Sequence, residues 1–206
     1  MAFTETADGM LFALSAQGEI YRSEVDGGLW ELAYSRLQGK ASFLTSDPQD
    51  RLYAVTTTFE HFGKLYRSED NGNSWKEIYD GPAITDLVFN NQGDMWAARG
   101  KYGIILSEND AEDWTLLDQA VPPNTDIHDL AITPENVLFA AATVNFTYSG
   151  LYRSEGGISS WTFIDFNDAL VQEVEVTGPK GQLLLVTSSQ GLHRSTDNGD
   201  NWDLLA

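Results

Sequence analysis

The chain has 206 residues, 42% of them hydrophobic, enough to bury a sizeable core in one domain or two small ones. Its 31 acidic residues against 12 basic ones give a formal charge of -19, which excludes a cationic surface for a nucleic-acid backbone and disfavours anionic lipid. With no cysteine there is no disulfide framework, thiolate nucleophile or Cys-ligated metal, and MAFTETADGM carries no basic segment leading into an apolar run, so no secretory signal is expected.

In chain order, short apolar runs alternate with turn-rich pieces. MLFAL, RLYAV, MWAA, VLFAAA and LLLVT each follow a Gly, Pro, Asn or Asp cluster such as SDPQD, NNQGD, TPEN or TGPKGQ. Before three of those clusters lies a further run: ITDLVF, IHDLAI or VQEVEV. After each of the five apolar runs comes a segment that repeats: YRSEVDGGLWEL, YRSEDNGNSWKEI, ILSENDAEDWTLL, YRSEGGISSWTFI and HRSTDNGDNWDLL. Five of the six Trp residues, Trp30, Trp75, Trp114, Trp161 and Trp202, therefore have a Ser seven positions earlier, at intervals of 45, 39, 47 and 41 residues. A period in that range is that of a repeat contributing one four-stranded sheet to a propeller-like array. No segment has a helical period of useful length.

The expected fold is all-β, a five-bladed β-propeller of four-stranded antiparallel blades in a single domain, with blades at about 2–38, 39–82, 83–124, 125–168 and 169–206. Both ends fall at unit boundaries, so ring closure is expected to rest on blade-to-blade packing.

Ser-x-Asp-x-Gly-x-x-Trp, complete in Ser68, Asp70, Gly72, Trp75 and again in Ser195, Asp197, Gly199, Trp202, resembles the Asp box, or BNR repeat, of sialidases, sortilin-like receptors and photosystem assembly factors. In the other repeats Val25, Asn109 and Gly156 stand in the Asp position, and Ala111 and Ile158 replace the Gly. The resemblance implies a hairpin between third and fourth strands. Its Asp accepts backbone N–H bonds, its Gly supplies a left-handed position, and its Trp lies against the neighbouring sheet. Arg22, Arg67, Arg153 and Arg194, just before the Ser, are expected to cover sheet edges with their stems.

A sialidase needs an arginine cluster, and the seven Arg of this chain, four of them at the boxes, do not provide one. Five-bladed glycosidases instead draw carboxylates from the innermost strands. Here those strands offer Glu5, Asp86, Asp129, Glu173 and Glu175, with His128 alongside. Asp86, Asp129 and Glu173 occupy one equivalent repeat position, so they read first as structural and only second as catalytic. No metal site or cofactor is expected from the three scattered His.

The repeat breaks its own spacing in two places, TTTFEHFGK and TVNFTYSG, both between second and third strands. Phe59, His61, Phe62, Phe146 and Tyr148, joined by Tyr34, Arg36 and Pro122 of the blade-to-blade links, form a candidate aromatic surface for a protein or a glycan. The competing expectation is that these rings fold back over the blade tops. The leading functional expectation is a non-catalytic binding module. The alternatives are a glycoside hydrolase using the axial carboxylates and a structural assembly or virion surface component, homo-oligomeric or part of a larger assembly. The compartment follows from none of this; without a signal, a cytoplasmic or virion-associated protein is favoured over a secreted one.

Overall fold

The computed structural model of the protein describes every residue except 25, 26, 60, 118–123, 146, 147, 156–160, 165–169, 178–181, 188–190 and 206; within strands, the side chains of 148, 155 and 182–187 also lie outside the description. The described chain is all-β and falls into two compact units, Met1–Ile84 and Thr85–Ala206. Every sheet consists of four antiparallel strands taken consecutively from the chain.

The first unit holds two sheets. One is β1 (Ala2–Glu5), β2 (Leu11–Leu14), β3 (Ile20–Ser23) and β4 (Trp30–Tyr34); the other is β5 (Lys40–Ser46), β6 (Leu52–Phe59), β7 (Phe62–Ser68) and β8 (Lys76–Pro82). The second unit holds three. They are β9 (Asp86–Phe89), β10 (Met95–Ala98), β11 (Ile104–Ser107) and β12 (Thr115–Leu116); β13 (Thr125–Ile132), β14 (Val137–Val144), β15 (Tyr148–Glu155) and β16 (Trp161–Ile164); and β17 (Val171–Thr177), β18 (Gln182–Thr187), β19 (Gly191–Ser195) and β20 (Asp203–Leu204).

Burial explains the sequence pattern. The described second strands are buried on both faces, as in MWAA of β10 and the first six residues of β14, so their sequences are continuous apolar runs and not alternations. The fourth strands are exposed and, in β12 and β20, only two residues long. Packing is sheet on sheet. In the first unit Phe12, Leu14 and Ile20 meet Leu44, Leu52 and Ala54; in the second, Trp96, Ile104 and Leu106 meet Leu130, Leu138 and Tyr152. The repeat holds in register as well as in sequence: Ser23, Ser68, Ser107, Ser154 and Ser195 pair with Leu11, Leu52, Met95, Leu138 and Leu183, each at the start of its sheet's second strand.

That common register also aligns the first strands. Asp86, Asp129 and Glu173 are equivalent to one another and to Ala2 and Phe43 in the first unit. Three first strands carry a bulge just before this position, at Ser42, His128 and Gln172.

Candidate functional site

The repeated phrase forms a turn of one construction in the second, third and fifth repeats. Between β7 and β8, the Gly72 N–H donates to Ser68 Oγ (2.9 Å), the Ser74 N–H to Asp70 Oδ1 (2.8 Å), and Trp75 Nε1 to the Gly72 carbonyl (3.0 Å). Between β19 and β20 the same bonds join Gly199 to Ser195 (2.9 Å), Asn201 to Asp197 (2.9 Å) and Trp202 to Gly199 (3.1 Å). The turn between β11 and β12, where Asn109 and Ala111 depart from the consensus, keeps the bonding: the Ala111 N–H reaches Ser107 Oγ (3.0 Å) and the Asp113 N–H reaches Asn109 Oδ1 (3.0 Å). An amide oxygen accepts at that position as a carboxylate does. Ala111 occupies φ +63, a left-handed angle that Gly72 and Gly199 take without a Cβ penalty. The turn carboxylates are fully employed. Asp197 is held down at about 2, first by the Asn201 side chain, then by the Asn201 backbone and Ser195.

The β7–β8 and β19–β20 turns dock on the preceding sheet of their own unit. Trp75 packs with Phe12, Leu14 and Ile20, and Trp202 packs with Phe139 and Ala131. Arginines fix the arrangement. Arg22 Nη1 donates to the Asn71 carbonyl (3.1 Å) and Asn73 Oδ1 (2.9 Å), and Arg153 Nη1 donates to the Asn198 carbonyl (2.8 Å). The sequence suggested that these arginines cover edges with their stems; Arg22 and Arg153 instead staple one sheet to the next sheet's turn, because turn carbonyls with no ladder partner face their guanidinium forks. Arg67 pairs with Glu69. Arg51 is likewise occupied, its Nε 2.6 Å from Oδ2 of the buried Asp47, which also accepts from the Tyr53 hydroxyl.

The first-strand carboxylates form a clip. Asp86 Oδ2 accepts the Leu130 N–H (2.8 Å), and Asp129 Oδ2 accepts the Val174 N–H (2.6 Å), so each carboxylate holds the first strand of the following sheet. The residue before it holds the same strand: Thr85 Oγ1 donates to the Ile127 carbonyl (3.0 Å) and His128 Nε2 to the Val171 carbonyl (3.0 Å). Thr85-Asp86 and His128-Asp129 are thus two copies of one device. Glu173, at the third equivalent position, is exposed and interacts with both aspartates through its charge alone. Glu175 stands elsewhere in register, along a shallow groove of about 260 Å³ beside Leu87, Leu130 and Val174. Glu5 belongs to the first unit, at yet another register position.

Asp86 and Asp129 also interact electrostatically with each other. Burial, followed by the Asp86 charge, pushes the Asp129 carboxyl up to about 8; burial raises Asp86 as well. At neutral pH the two coupled carboxyl groups therefore share a proton between them. Among the described residues no group of three or more His, Asp and Glu is arranged to hold a metal ion.

Among the described residues the spacing breaks lengthen strands. TTTFEHFGK carries β6 out to Phe59 and starts β7 at Phe62, the two Phe residues facing each other in register at the hairpin tip. Three consecutive threonines favour that extension. Phe59 is 74% exposed and Phe62 53%, so these rings do not fold back; His61, at φ +98, makes the turn and is exposed. In the second unit TVNFTYSG extends β14 to Val144 and starts β15 at Tyr148. Phe146, the Tyr148 side chain and Pro122 lie outside the described residues.

No protein-family description matches the chain, and no curated protein resembles it in sequence. Solved structures do. YCF48 bound to a D1 peptide superposes at a TM-score of 0.74 with 14% identity over 98% of this chain, and YCF48 from Cyanidioschyzon merolae at 0.70 with 15% identity over 97%. The GH74 enzyme of Niastella koreensis superposes at 0.66 with 18% identity over the whole of this chain. The chain spans 66% and 67% of the two YCF48 chains and 31% of the GH74 enzyme. These likenesses show the fold, that of the β-propellers.

Proposed function

We propose that the chain is a five-bladed β-propeller of Asp-box repeats, with the blade limits set by its sequence period, and that it acts as a non-catalytic module binding an extended segment of a protein partner through the β6–β7 hairpin tip. The observation that carries this reading is the cross-strand pair Phe59 and Phe62, 74% and 53% exposed at the end of strands that outreach the rest of their repeat. Two large rings held outward on paired strands cost water contact without stabilising a core, and such residues are interface anchors. The fold likeness to YCF48, whose structure contains a D1 peptide, supports a protein partner.

Phe59→Ala combined with Phe62→Ala is expected to abolish partner capture while the melting temperature stays within about 1–2 °C, since exposed substitutions cost no more than about 0.5 kcal/mol. A variant that retains capture, or that unfolds, sinks the reading. The hydrolase alternative predicts turnover of aryl glycosides by the wild type that Asp86→Asn or Asp129→Asn removes.

A further inference from the structure

The first unit contains a cleft of about 620 Å³ beside the aromatic hairpin, between the β2–β3 hairpin, the link from β4 to β5, and the end of β6. Its walls are fixed. Leu37, only 2% exposed, anchors the link in the core; its N–H donates to the Gly18 carbonyl (2.7 Å), and the Gln38 carbonyl accepts from Thr56 Oγ1 (2.7 Å). Gly39, at φ +103, brings the link so close to β6 that a Cβ there would sit 2.8 Å from Thr56 Oγ1 and from the Thr57 carbonyl. Such a cleft is preorganised for a ligand and loses little conformational freedom on binding.

Its charge runs against the molecule. Arg36 and Lys40 both line the cleft, both are exposed, and neither makes an ion pair among the described residues. Most other described cations in this chain of net charge -19 are committed: Arg22 to Glu31, Arg51 to Asp47, Lys64 to Glu77 and Asp80, Arg67 to Glu69, and Arg153 to Asp200. The one carboxylate in the cleft wall, Glu19, is engaged by the Ser15 and Tyr21 hydroxyls. Thr57 and Thr58 lead from the cleft directly to Phe59. Two uncommitted cations in a fixed cleft, next to two exposed rings, match a ligand that alternates acidic and large apolar groups.

We infer that the Arg36–Lys40 cleft is an anion subsite, and that the partner segment is an acidic peptide whose carboxylates sit on Arg36 and Lys40 while its apolar side chains rest on Phe59 and Phe62. This rests on the peptide-binding reading above and names the ligand chemistry. The selectivity is electrostatic: the remaining surface repels an acidic peptide, so binding confines it to this cleft.

The test uses a short fluorescein-labelled peptide alternating Glu with Leu and Phe, against the same peptide with Gln for Glu, read by fluorescence anisotropy. The acidic peptide is expected to bind about tenfold more tightly than its Gln counterpart, and to weaken as salt rises from low to physiological strength. Arg36→Glu with Lys40→Glu should remove the preference, and Arg36→Gln with Lys40→Gln should reduce it; Lys76→Glu, an exposed cation away from the cleft, should leave it intact. Equal affinity for the two peptides, no binding of either, or equal loss from Lys76→Glu overturns the inference. If Phe59→Ala with Phe62→Ala abolishes binding of both peptides while the Arg36 and Lys40 variants bind as the wild type does, the aromatic site stands and the anion subsite falls.

Discussion

Asp129→Asn tests the proton-sharing pair without disturbing its shape. Asparagine keeps an oxygen for the Val174 N–H and carries no charge, so it imitates the protonated aspartate at every pH. The wild-type carboxyl is held at about 8 against an ordinary 3.8, so between those values the folded protein retains a proton that the unfolded chain has released. Stability from this group is therefore complete below pH ~4 and is lost as pH rises toward 8. Complete conversion of the shift would give about 5–6 kcal/mol. Asp129 is only partly buried and shares its charge with Asp86, and solvent screening reduces the expected effect to about 2 kcal/mol, or roughly 4–8 °C in melting temperature. Thermal melts from pH 4.5 to 9 should show wild type and Asp129→Asn together at the acid end and the variant higher by that amount at the alkaline end. Taking the difference between the two proteins cancels the repulsion among the other carboxylates, which also grows with pH. Parallel curves, or a variant that loses stability equally at both ends, would refute the shared proton.

The turns supply two further predictions. Gly199→Ala places a Cβ 2.9 Å from the Phe139 ring at φ +84 and should cost about 1–3 kcal/mol in urea denaturation, while Ala111→Gly relieves φ +63 and should be neutral or stabilising by up to about 1 kcal/mol; the reverse order would show that the turns are not equivalent. Asp197, with its pKa lowered to about 2, contributes stability above pH ~4 that is lost as pH falls through 2, so the melting-temperature gap between wild type and Asp197→Asn should narrow across that acid range and be constant near neutrality.

The strands were legible because second strands such as β10 and β14 are buried on both faces, and a residue with no exposed face has no alternation to hide its run. The turns were legible because Ser, Asp and Trp bond within eight residues of one another, inside a single stretch of sequence. What the sequence did not reveal spans about 45 residues. Asp86 meets Leu130, Asp129 meets Val174, Arg22 meets Asn71 and Arg153 meets Asn198 at separations of 44, 45, 49 and 45, one repeat each. A repeat period shows that two residues are equivalent, but contact between successive copies depends on how the sheets stack, which no local pattern encodes.

The same reasoning separates scaffold from site. Thr85-Asp86 and His128-Asp129 recur because successive sheets must be gripped in the same way, so the carboxylates that most resembled catalytic residues are those most fully used by the fold. Phe59 and Phe62 lie where the β6–β7 hairpin outgrows the hairpins of β2–β3 and β10–β11, Arg36 lies in a link between repeats, and Lys40 is the first residue of β5, where that link enters the strand. None of the four is required by a neighbouring sheet. In a protein this repetitive, the side chains left over after the repeats have been stacked are the ones free to meet a partner, and in the first unit those include two rings and two cations around one cleft.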